Sequence, residues 1–193
     1  MTNSCDFEKL LAKAKEFHGH VCPGIVLGTR LTMAGLRELG MDLFAPGRDL
    51  IVYVEVDRCA TDAIQAITGC SLGRRNLKHK DFGKFAATFV NSGTGNAVRV
   101  VVNEKNREIN EKLAPPEIVR VLSEAPEEDI LKIERVRIVI PKDDLPGHLK
   151  GRVKCSACGE RIADNRQVVR EGVVLCRNCA GESYYTVIEG NQR

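Results

Sequence analysis

Cys155, Cys158, Cys176 and Cys179 stand as two Cys-x-x-Cys pairs with 17 residues between them. A two-residue gap lets both thiolates of a tight knuckle face one ion, and two knuckles complete a tetrahedral shell of four sulfurs. The spacing falls within the pattern of zinc sites. Gly159 follows the first pair, where the knuckle turns sharply, and VVREGVVLC reads as a hairpin turning at Glu171–Gly172 that brings the second pair back to the first. Four protein ligands leave no open position, so the expected ion is a structural Zn²⁺. A module this small has little core of its own and folds only with its metal.

The remaining candidate ligands are His18, His20, Cys22, Cys59, Cys70 and His79. His18, His20 and Cys22 alternate within five residues around Gly19. Side chains at alternate positions of an extended segment point the same way, so two or three of them could reach one ion. Imidazole with thiolate suits Zn²⁺ and other late transition metals. Cys59 falls at the mouth of a helix that follows a strand, where the helix dipole would favour its thiolate. The bland alternative weighs equally on spacing alone: histidines that satisfy backbone groups and cysteines that act as small buried hydrophobes. Cys5 and Cys70 fit that alternative better.

These residues need elements to hold them. Residues 6–17 read as an amphipathic helix with Phe7, Leu10, Leu11, Ala14 and Phe17 on one face. Gly19 and Pro23 break the pattern, and Pro23 suits the first position of a second helix running to about Leu39 and stopped by Gly40. That helix is apolar nearly all round and should be buried, in part against a second copy of the chain. LIVYVEV (50–56) is a strand, followed by a helix over DRCATDAIQAITG with Gly69 as its cap. Residues 77–91 read as two strands joined by a turn at Asp81–Gly83, and 97–102 as another strand. Residues 103–131 read as short helices, and 133–140 alternates as a closing strand. The expected organisation is an α+β core over 1–140, a linker over 141–152 and a zinc ribbon over 153–193.

With 193 residues, 43% of them hydrophobic and 28% charged, the chain is an ordinary globular one. A net charge of +3 is too small to argue for nucleic acid. No apolar run approaches membrane-spanning length. Eight cysteines without a secretion signal point to metal or redox chemistry in the cytoplasm.

FHGHVCPGIVLGTRL (17–31), VEVDRCATDAIQAITGCSLGRRNL (54–77) and DFGKFAATFVN (81–91) resemble the FmdE family of formylmethanofuran dehydrogenase proteins, over roughly residues 7 to 140. The resemblance implies an α+β core, frequently an intertwined homodimer, with a metal-associated His/Cys site; some members carry a C-terminal zinc finger. The family's His-Gly-His-x-Cys-Pro-Gly stretch falls on His18, His20, Cys22, Pro23 and Gly24, and its Asp-Arg-Cys element on Asp57, Arg58 and Cys59. His20 and Cys59 are thereby the preferred ligands of a second transition metal (Zn, Ni or Fe), with His18 and Cys22 next. The dehydrogenase itself needs a pterin metal and iron–sulfur clusters, and this chain has no ferredoxin-type cysteine run.

The expected function is a metal-binding accessory or regulatory protein whose zinc finger contacts a protein partner. One alternative is a small metal- or thiol-dependent enzyme using Cys59 with His18 or His20. Another is a nucleic-acid-binding or metal-sensing transcriptional regulator acting through the ribbon.

Overall fold

The computed structural model describes residues 4–103 and 113–188. It divides into two compact units, split between Val139 and Ile140.

In the first unit, helix α1 (Ser4–His18) buries Leu10 and Ala14. Its apolar stripe outruns the core, for Phe17 in the last turn is 57% exposed, contrary to the sequence expectation. Helix α2 (Pro23–Glu38) begins with Pro23 and ends before Gly40, whose φ is +65°. It buries Ile25, Val26, Leu31, Met33 and Leu36 within the chain itself. The apolar surface that suggested an interface between copies is therefore already covered. Thr29 and Thr32 are buried too, each donating to a carbonyl one turn back, at 2.9 and 2.7 Å.

Strand β1 (Leu50–Val54) leads into helix α3 (Cys59–Thr68), which Gly69 caps in the left-handed conformation. Strand β2 (Leu77–His79) then runs parallel to β1, as a right-twisted strand fed through a helical crossover does. Strand β3 (Ala86–Asn91) lies on the other side of β1 and antiparallel to it. The turn at 81–83 therefore joins two strands that are not partners, because β1 separates them. Strands β4 (Ala97–Val102) and β5 (Leu131–Val136) complete the sheet in the order β2-β1-β3-β4-β5. The last strand is displaced from the expected 133–140, and Val139 is 87% exposed. Helices α4 (Pro115–Glu124) and α5 (Glu127–Ile130) precede β5. The short helices expected over 103–131 are thus present in part, and 104–112 lie outside the described residues.

One sheet face, with Val52, Val54, Ala87, Phe89, Val98 and Val100, joins Leu10 of α1, Leu31 and Leu36 of α2, Ile64 of α3 and Leu122 of α4 in a single core. Arg30 of α2 is buried against the end of α4. Its guanidinium donates to the carbonyls of Leu122, Ser123 and Ala125 at 2.9–3.1 Å, which answers the unpaired acceptors of a helix C-terminus. Desolvation lowers its pKa below the usual arginine value. On the sheet's other face, Arg99 makes a two-pronged pair with the buried Glu55, at 2.7 and 2.8 Å.

Among its described residues, the second unit holds a 3-10 turn (Lys142–Asp144) and two hairpins. Strand β6 (Arg152–Lys154) pairs with β7 (Arg161–Ala163), and β8 (Val168–Arg170) with β9 (Val173–Leu175). The second hairpin turns at Glu171 and Gly172, both with positive φ (49° and 80°), the geometry of a tight two-residue hairpin.

Candidate metal centres

The β6–β7 hairpin is folded around the first cysteine knuckle. Cys155 N–H donates to the Glu160 carbonyl, and Gly159 N–H, at φ +77°, returns to the Cys155 carbonyl. The second knuckle follows β9, where Ala180 N–H closes onto the Cys176 carbonyl. The four sulfurs lie within 4.8 Å of one another. Around zinc, bonds of about 2.3 Å in tetrahedral array place sulfurs about 3.8 Å apart. The Cys158–Cys176 separation is 3.9 Å, which fits that shell and is far too long for a disulfide. Backbone N–H groups point at the sulfurs as well, from Cys176 to Cys155 and from Cys179 to Cys176, each at 3.3 Å.

The protein alone cannot ionise all four thiols in so small a space. The backbone N–H of Cys158, then that of Cys176, draws the Cys155 thiol down to about 6. Cys179 is pushed up to about 12, first by its hydrogen bond with Cys176. A divalent cation at the centre would favour the thiolate at every position. The donor set therefore fits a closed zinc site.

The core site forms where α1, α2 and α3 meet. Gly19, at φ +98°, carries the chain from α1 toward α2. Cys22 is the N-cap of α2, with extended backbone, yet its side chain makes no capping bond. Its sulfur instead lies 3.9 Å from Nε2 of His18. The His18 and His20 rings are 4.7 Å apart between centroids, and ligand atoms of His18, His20 and Cys22 all fall within 4.8 Å. His20 is exposed, whereas His18 and Cys22 are half-buried. Nδ1 of His18 meets Asp62 Oδ2, in the first turn of α3, at 2.7 Å.

Cys59 opens α3 on the Cys22 side, the two sulfurs lying 3.4 and 3.7 Å from the place a Gly24 Cβ would take, but it stands outside the close group formed by His18, His20 and Cys22. Two glycines on α2 permit this. A Cβ on Gly24 would stand 2.9 Å from Cys59 Cβ, and one on Gly28 would stand 2.6 Å from the Ala60 Cα. The helix mouth does not ionise Cys59 as its position suggested. Burial first, and then its hydrogen bond with Cys22, raise its pKa, outweighing the backbone N–H that lowers it.

Cys70 is a core residue, 1% exposed, and burial raises its pKa also. His79 is exposed at the end of β2, and Cys5 is exposed on α1. Reading along the chain missed Asp62, which is 44 residues from its partner. It also gave no packing role to Gly28, nor to Gly24 beyond its place in the family motif, although glycine is the residue that lets another backbone approach closely.

The family described as FmdE, molybdenum formylmethanofuran dehydrogenase operon, matches residues 17–138. The chain belongs to the FmdE family. Residues 150–185 match the prokaryotic dksA/traR C4-type zinc finger, which covers all four ribbon cysteines. Among solved structures, an FmdE-like protein of the tungsten formylmethanofuran dehydrogenase type from Syntrophus aciditrophicus superposes with a TM-score of 0.68 at 26% identity. That match covers 93% of this chain and 95% of the other. A probable S-adenosyl-L-methionine-binding protein of Archaeoglobus fulgidus is 33% identical over 93% of this chain. The chain spans 54% of that relative's length. Among the described residues, no helix of this FmdE-family chain is long and apolar enough to cross a membrane.

Proposed function

We propose that this chain is a metal-binding accessory protein with two separate sites. The ribbon holds its structural zinc, and the core binds one further transition ion through His18, Cys22 and Cys59, with His20 at the solvent side. The observation that carries the reading is the convergence of His18, His20 and Cys22 within 4.8 Å, with the Cys59 sulfur beside that of Cys22 next to Gly24. Mixed nitrogen and sulfur donors favour Zn, Ni or Fe over hard cations. The test is metal content per chain. Two ions in the wild type and one in both Cys22→Ser and Cys59→Ser support the reading; one ion in all three ends it.

The exposure of His20 favours a second reading, a small metalloenzyme. An ion reached by solvent on that side could carry a displaceable water, with His20 as proton carrier. Exogenous azide or cyanide perturbing the spectrum of a Co²⁺-substituted core would support this, and an unresponsive spectrum would favour the accessory role.

The assembly we propose is a homodimer in the cytoplasm. The dimer rests on family likeness, since α2 is covered within its own chain. Light scattering should return twice the chain's 21.3 kDa. The ribbon is proposed to contact a protein partner. Nucleic-acid binding that weakens steeply with salt would replace that assignment.

A further inference from the structure

Helix α3 delivers two groups to the core site. Asp62 lies three residues after Cys59, so both side chains leave neighbouring positions of one helix face. An acidic residue in a first turn ordinarily answers the helix dipole and needs no partner. Here its Oδ2 reaches 2.7 Å to Nδ1 of His18, at the end of a different helix. The histidine side chain is 14% exposed and the aspartate 38%, so the pair is partly shielded from water.

The two ring nitrogens of His18 are thereby given different work. An ionised carboxylate only accepts hydrogen bonds, so neutral His18 carries its proton on Nδ1 and its lone pair on Nε2. Nε2 is the nitrogen that lies 3.9 Å from the Cys22 sulfur. We propose that Asp62 is the positioning residue of the core site, fixing the His18 tautomer so that Nε2 is presented to the ion. The proposal rests on the core being a metal site. A carboxylate behind a ligating imidazole orients the ring and raises its basicity, and such outer partners are typically worth about 10–100-fold in metal affinity.

The test uses the full chain with Zn²⁺ as the probe, in competition with a fluorescent chelator. The ribbon site serves as the internal reference. Nitrogen chemical shifts of His18 report its tautomer and its bound atom. In the zinc-loaded wild type, Nε2 should be metal-bound and Nδ1 protonated. Asp62→Ala should weaken the core site about 10–100-fold and leave ribbon affinity unchanged. Asp62→Asn should weaken it less, because its carboxamide oxygen still accepts from Nδ1, and its near-identical shape guards against misfolding. Two zinc ions bound with unchanged core affinity in Asp62→Ala would overturn the proposal alone. So would zinc bound through Nδ1, or equal losses at both sites. A wild-type chain that takes up one zinc would end the core-site reading and this proposal with it.

Discussion

Substituting Gly28 by alanine should damage the core site more than it damages the fold. The added Cβ would lie 2.6 Å from Ala60 Cα and 2.9 Å from both the Ala60 carbonyl oxygen and Ala63 Cβ. Carbon atoms rest about 3.5–4.0 Å apart, so α3 must retreat by about 1 Å. The obstacle is backbone, which cannot swing aside as a flexible side chain would. Ala60 follows Cys59 directly and precedes Asp62 by two residues, so both move with it. A retreat of about 1 Å takes the 2.7 Å contact between His18 and Asp62 to about 3.7 Å, past hydrogen-bonding range. Overpacking costs about 1–3 kcal/mol. Alanine recovers about 1 kcal/mol of helix propensity over glycine. The net stability loss is then about 0–2 kcal/mol. Gly35→Ala is the control: its Cβ would overlap the fully buried Phe89 ring, at 2.2 Å from Cδ2, two turns further along α2. It should cost as much stability or more while sparing the site. Denaturant midpoints and core zinc affinity, measured on both variants, separate the two effects. Wild-type core affinity in Gly28→Ala would refute the reasoning, as would an equal affinity loss in Gly35→Ala.

Cys176→Ser should remove the ribbon zinc and abolish amide protection over the hairpins at 152–175, leaving protection of β1, β3 and β4 intact. Unchanged ribbon protection after metal stripping would contradict a metal-dependent fold. Arg30→Met keeps the aliphatic bulk but strips three carbonyls at the end of α4 of their donor. The expected loss is about 1–3 kcal/mol, read as a lower urea midpoint with the slope unchanged. Acidification should release the ribbon zinc, because the thiolates that bind it become protonated as pH falls, and a bound-zinc titration follows this directly.

What could be read from the chain was mostly local. The knuckles and the Glu171–Gly172 turn announce themselves because each is closed by a few adjacent residues. Helix α2 did too, between Pro23 and Gly40. The partner of β2 was not legible, because nothing between Lys78 and Phe89 records that β1 lies between the two strands joined by that turn. Pairing is settled by the α3 crossover, which is non-local. Phe17 fits its helical stripe and is still exposed, since periodicity marks a face without saying how far the core beneath it extends. Within the site, His18, His20 and Cys22 stood out by their spacing. Asp62 looked like any first-turn acid, because only the packing of α1 against α3 gives it a partner. The ionisation expected of Cys59 failed for a related reason. Its position promised a helix dipole, and burial first, then the Cys22 thiol at the start of α2, outweigh it.

Every group in the core site lies between His18 and Asp62, so all of them are synthesised before β3, β4 and β5 exist. Chains fold from the N-terminus as they emerge, and contacts near in sequence form first. If the proposed core ion binds, the three helices could therefore meet around it while most of the sheet is still to be made. For a site of this kind, the supply of metal during translation would bear on how many chains reach the native state, and not only on how many finished molecules are loaded.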